Sequence, residues 1–117
     1  MSELDRFLDQ TREHQGVEHV FLLGADGLLV RYAGDGEVDA ETVAAMVPGV
    51  ANGAAELARS AGWNGFSSAV MELGEGVGVV VRLSDDLLMA VLLRAGVGFA
   101  PLLHDLRANR ERIAGMV

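Results

Sequence analysis

Leu4, Phe7, Leu8 and Thr11 recur at helical spacing between Asp5, Arg6, Asp9, Arg12 and Glu13, so the chain opens on an amphipathic helix. Ser2 and Asp5 stand where an N-cap and a first-turn acid belong, and Gly16 marks the stop. The period then changes. Residues 17–23 and 28–32 are β-branched, aliphatic and aromatic runs joined by Gly24-Ala25-Asp26-Gly27, which has the chemistry of a hairpin turn. Gly34-Asp35-Gly36-Glu37 breaks the strand pattern and leads to Asp39, the expected N-cap of a second helix running to about Ser60.

That helix carries Val43, Val47, Val50, Ala54 and Leu57 as one apolar stripe. Beside the stripe lies a ridge of mainly small residues: Ala45, Gly49, Asn52, Gly53 and Glu56. Pro48 falls inside the helix, where it removes the hydrogen bond to the Ala44 carbonyl and predicts a bend. After the loop Gly62-Trp63-Asn64-Gly65, residues 66–73, 77–83 and 87–93 read as three strands. Their links, Gly74-Glu75-Gly76 and Ser84-Asp85-Asp86, are short enough to force an antiparallel meander. Gly98 can cap a last helix that tolerates Pro101 in its first turn and sets Phe99, Leu103, Leu106 and Ile113 along one face. The order α-β-β-α-β-β-β-α, without a linker or repeat, predicts one α+β domain over residues 1–117.

The strands are apolar on both sides. Val77, Val79, Val81 and Leu83 face one way and Val80 the other, while Leu87, Met89, Val91 and Leu93 are matched by Leu88, Ala90 and Leu92. Both faces therefore need cover, which the helices supply if the first and third lie on one face and the second on the other. One helix about 10 Å wide cannot shield five strands spaced about 4.8 Å apart. Unshielded apolar sheet, an unpaired strand edge and a helix ridge of glycine and alanine predict a second copy paired edge to edge, with the second helices side by side. Packing of the small residues onto the chain's own sheet is the plainer alternative.

Composition narrows the partners. The formal charge is −8, and all nine basic residues are arginine. Without a basic patch, phosphate backbones of nucleic acids and anionic membrane surfaces are poor partners. The absence of lysine removes Walker-type phosphate binding and Schiff-base chemistry, and the absence of cysteine removes disulfides, thiol nucleophiles and thiolate-bound zinc. The acidic start Met1-Ser2-Glu3-Leu4-Asp5 does not read as a signal peptide, and no run approaches the roughly 18 apolar residues of a membrane span, so a cytoplasmic address without membrane insertion is expected.

No constellation of residues carries catalysis, a metal or a cofactor. Gly74-Glu75-Gly76-Val77-Gly78 opens a strand, whereas a phosphate-cradling loop must open a helix. His14, His19 and His104 lack the spacing of a helical zinc pair and read as solvent-facing or locally bonded. His104 and Asp105 are adjacent on a helix and point apart. Ser67 and Ser68 lack a nucleophile elbow, and Asp85 and Asp86 read as a solvated hairpin tip. Trp63, between glycines, either tucks over the core edge or anchors a partner; tucking is the expectation.

Gly16-Val17-Glu18-His19-Val20-Phe21-Leu22-Leu23 running into Asp26-Gly27-Leu28-Leu29-Val30, together with the order of elements and the alanine-rich second helix, resembles the Roadblock/dynein light chain superfamily, particularly its bacterial MglB-type members. The resemblance covers nearly the whole chain. It implies a five-stranded antiparallel sheet between one helix and two, dimerising through the third strand and second helix into a continuous ten-stranded sheet. It also implies a platform for small Ras-like GTPases; some MglB-type members stimulate hydrolysis by reshaping the GTPase without inserting an arginine. Carried over here, the dimer surface includes Ala45, Gly49, Asn52, Gly53 and Glu56 on the helix and Phe66, Ser68 and Val70 on the edge strand.

Two functions follow as expectations. The first is a non-enzymatic homodimeric adaptor that binds and regulates a small Ras-like GTPase. The second is a stand-alone scaffold or small-molecule sensor with a pocket beneath the helices.

Overall fold

Ser2 starts the first helix, α1 (Glu3–Arg12), through a capping box: its hydroxyl accepts from the Asp5 amide at 3.1 Å, and the Asp5 carboxylate accepts from the Ser2 amide at 3.3 Å. A computed structural model describes all of residues 1–117. The stripe Leu4, Phe7, Leu8 and Thr11 is buried, and the Thr11 hydroxyl satisfies itself on the Phe7 carbonyl at 2.9 Å.

Strands β1 (Val17–Gly24) and β2 (Leu29–Gly34) form the first hairpin. Its turn closes through the Gly24 amide to the Leu28 carbonyl at 2.9 Å, with Gly27 at φ +89°. A register shift at Leu22/Leu23 takes up the turn, so Leu28, expected to begin the strand, is left 70% exposed.

Helix α2 (Ala40–Ser60) has Asp39 as N-cap, as the sequence predicts, and continues through Pro48 as one helix. Strands β3 (Ser68–Leu73), β4 (Gly76–Arg82) and β5 (Leu87–Arg94) make the meander. The third strand begins two residues later than the pattern suggests: Gly65 turns the chain at φ +68°, and Phe66 leaves the ladder to pack under α2. All pairings are antiparallel in the order β2-β1-β5-β4-β3, so β1 joins the hairpin to the meander through β5, and β2 and β3 are the edges.

The two-sided apolar pattern has the expected consequence. One core lies between the sheet and the first and last helices, with Val20, Leu22, Val79, Val81, Met89 and Val91 facing Leu4, Phe7, Leu8, Leu102, Leu106 and Ile113. The other lies under α2, where Phe21, Leu23, Val80, Leu88 and Ala90 meet Ala44, Val47 and Ala51.

Two details differ from expectation. The buried stripe of α2 is Ala44, Val47 and Ala51, with Val43, Val50 and Ala54 only half-buried and Leu57 73% exposed. Alanine at the centre of the contact lets the helix lie close to the sheet, with the valines flanking it. The last helix is two: α3 (Ala100–Ala108), with Pro101 in its first turn, and α4 (Arg110–Ala114). Asn109 breaks them apart, its side-chain amide turning back to the Asp105 carbonyl at 2.8 Å. The inward face accordingly runs through Leu102, Leu106 and Ile113, with Leu103 displaced to its margin.

Candidate functional site

The outer side of α2 and the neighbouring edge of the sheet form one continuous surface. Strand β3 pairs only with β4, which leaves its outer row of backbone donors and acceptors open. Between α2 and this edge runs a groove of about 280 Å³ walled by Val43, Met46, Val50, Met71, Leu73 and Leu92, with no polar side chain among its lining residues. Met46 is 69% exposed and Leu73 52%, so the groove continues outward as an apolar surface.

Ala45, Gly49, Asn52, Gly53 and Glu56 are all exposed on α2; none of them lines this groove, and Ala45 lies on the other flank of the helix, against the Gly27 turn. A Cβ added at Gly49 or Gly53 would meet nothing within 4 Å. The packing of the protomer therefore does not call for glycine at either position, although each costs the helix about 0.5–1 kcal/mol relative to alanine. Glu56 is held by Arg59 at 3.0 Å on the same surface. At the start of the helix the Thr42 hydroxyl donates to the Asp39 carboxylate at 2.7 Å and the Thr42 amide at 3.3 Å, and these bonds hold the Asp39 carboxyl below the usual carboxylate range.

The three strand-side residues separate. Ser68 and Val70 pair with Val81 and Val79 and so lie on the α1/α3 face of the sheet, while Phe66 packs on the α2 face from outside the strand. The Ser68 hydroxyl accepts from Arg107, and Val70 is 37% exposed. Only the strand backbone, with Ala69, Met71 and Leu73, is shared with the α2 side.

Trp63 overturns the expectation that it tucks against the core: it is 73% exposed. Its amide caps α2 on the Ala58 carbonyl at 2.8 Å, and with Gly62 at φ +79° the turn carries the indole outward beside Leu57. Met46, Leu57, Leu73 and Leu28 also stand exposed here or beside the β1–β2 turn, and the sequence reading assigned none of them to this surface. Met46, Val50, Gly53 and Leu57 recur at helical spacing, a second stripe that the valine-led one concealed.

The Roadblock/LC7 domain family model matches residues 3–93. The chain belongs to the Roadblock/LC7 domain family. Solved Roadblock-type structures superpose over almost all of it. MglB from Myxococcus xanthus aligns with TM-score 0.85 at 16% identity, covering 100% of this chain and 98% of that one. An MglB with a tetrameric arrangement gives 0.86 at 15%, covering 97% and 86%. A Roadblock/LC7 domain from Streptomyces avermitilis gives 0.77 at 23%, covering 97% of each. Identities this low establish the Roadblock fold and leave the partner surface to be argued from this chain's own residues. No curated protein matches the sequence.

Within the Roadblock frame, α2 and β3 are the elements whose apolar surface the protomer leaves uncovered. No helix is long and apolar enough to cross a membrane.

Proposed function

We propose that this chain is a non-enzymatic, cytoplasmic homodimeric adaptor that binds and regulates a small Ras-like GTPase, as an activating or localising partner. Residues 1–117 act as one Roadblock-like domain, a reading supported by α3 and α4 packing into the same core as α1.

One observation carries the dimer: an open strand edge and an apolar groove adjoin, and the helix that walls the groove carries on its exposed face two glycines that the protomer does not need. A second copy related by a two-fold axis covers all three, with β3 meeting β3 and α2 meeting α2. Ala45, Gly49, Asn52, Gly53 and Glu56 are then the helix contacts, β3 contributes backbone bonds with Ser68 and Val70 at its margin, and Phe66 lies behind the helix. The GTPase rests on family membership, and exposed Trp63 is its proposed anchor. The reading as a non-enzyme is supported by the bonding of Ser67 and Ser68, whose hydroxyls meet Arg110 and Arg107 and no histidine.

Light scattering tests the first part: the expected mass is twice 12.3 kDa, and a 12.3 kDa species at every concentration overturns the dimer. Titration against small Ras-like GTPases in GTP- and GDP-loaded states, with hydrolysis followed, tests the second. Binding in neither state removes the regulatory role.

A small-molecule sensor is the second reading, favoured by the wholly apolar lining of the α2–β3 groove. An apolar ligand that raises the melting temperature while splitting the dimer selects this reading.

A further inference from the structure

The chain is strongly acidic, yet three of its arginines gather at one end of the sheet without a carboxylate partner. The ion pairs of the protein engage Arg31, Arg59 and Arg112, while Arg82, Arg107 and Arg110 take part in none. Arg82 ends β4, and Arg107 and Arg110 flank the break between α3 and α4.

Their donors are largely unspent. A guanidinium carries five N–H groups. Arg110 donates through Nη2 to the Ser67 hydroxyl at 3.0 Å, and its Nε is buried with no acceptor at all. Arg82 donates to the Asp85 carbonyl at 3.4 Å and sits over the Phe66 ring, 5.7 Å from its centroid, which holds the guanidinium in place. Arg107 occupies the neighbouring Ser68 hydroxyl. Arg110 therefore has guanidinium donor capacity beyond its one hydroxyl bond.

Arg82 and Arg110 line a common cavity of about 200 Å³ with Ser67, Ser84 and Asp85. The Ser67 hydroxyl accepts from Arg110 and the Ser84 hydroxyl from the Asp86 amide at 3.3 Å, which leaves both O–H groups free to donate. The cavity thus offers two forked cations and two hydroxyl donors, opposed by one carboxylate, that of Asp85. This set fits a compact tetrahedral dianion, whose several oxygens accept bidentate guanidinium bonds, better than it fits a single-charge carboxylate.

We propose that Arg82 and Arg110, with the hydroxyls of Ser67 and Ser84, form a binding site for a phosphate monoester, with inorganic phosphate as its minimal ligand. None of its four residues belongs to the proposed dimer contact on α2 and β3 or to the proposed GTPase anchor, Trp63.

Titration of the full chain with inorganic phosphate at low ionic strength, read by calorimetry and by the arginine Nε–Hε resonances, tests it. Saturable binding that shifts Arg82 and Arg110 is expected. Arg110→Gln and Arg82→Gln should each weaken it about tenfold, Asp85→Asn should tighten it, and Arg31→Gln, on the far edge strand β2, should leave it unchanged. A melting curve shows whether each variant is folded, and Ser84→Ala, which keeps every arginine, should also weaken binding. Shifts that never saturate, or an Arg31→Gln effect equal to that of Arg110→Gln, overturn the site in favour of a response to net charge alone.

Discussion

Nδ1 of His19 lies 2.8 Å from the hydroxyl of Tyr32, across the ladder that joins β1 to β2. His19 is buried, and the same hydroxyl accepts from the Gly36 amide at 3.1 Å, so one phenol ties the hairpin to the loop that enters α2. The pair exists because Gly34, opposite His19 in the ladder, has no side chain: a Cβ there would collide with the Tyr32 hydroxyl. Tyr32→Phe leaves a buried imidazole nitrogen unpaired and should cost about 1–2 kcal/mol in urea unfolding. Gly34→Ala should cost about 1–3 kcal/mol through crowding. Unchanged midpoints for both would show that the contact holds nothing together.

Gly53→Leu discriminates the use of the α2 ridge. The side chain has open space in the protomer, so helix content should be retained, while the proposed two-fold contact has no room for it. Light scattering should fall to 12.3 kDa with an unchanged far-ultraviolet spectrum. Retention of the doubled mass would place the interface elsewhere.

Pro48→Ala returns an amide hydrogen to the helix opposite the Ala44 carbonyl, which is buried with its residue. A proline inside a helix costs about 3 kcal/mol, part of it offset here by the packing of the ring beside the Gly27 turn. The variant should unfold at a higher temperature by calorimetry. A lower one would mean that the ring contact outweighs the hydrogen bond.

Acid should weaken the fold through the helix caps. Hydrogen bonds from Thr42 to Asp39 and from Ser2 to Asp5 hold both carboxyls below their ordinary range. A depressed folded-state value gives stability that is present above the unfolded value and lost as pH falls through the folded one. The melting temperature should therefore drop below about pH 4. Asp39→Asn keeps a capping side chain but does not titrate, so its acid limb should be shallower; an identical limb would show that the Asp39 carboxylate contributes nothing to it.

The elements were legible because each carries its own local code. Asp39 marked the start of α2 to the residue, Ser2 and Asp5 marked α1, and the two-sided valine and leucine pattern of β4 and β5 required cover on both faces. What escaped was the choice among equivalent apolar residues. Alanine and valine are both apolar on α2, and periodicity alone does not say that Ala44 and Ala51 approach the sheet while Leu57 stands clear. The same holds for Leu102 over Leu103 in α3.

The sequence by itself determined the kinds of elements, their order, the absence of lysine and cysteine chemistry, and the need for helices on both sides of the sheet, since these follow from side-chain period and composition. Only the tertiary structure decided the strand order, the exposure of Trp63, the separation of Ser68 and Val70 from Phe66, and the meeting of Arg82 with Arg110. Those depend on which distant segments pack together, and a pattern that repeats every two or four residues holds no information about neighbours thirty residues away.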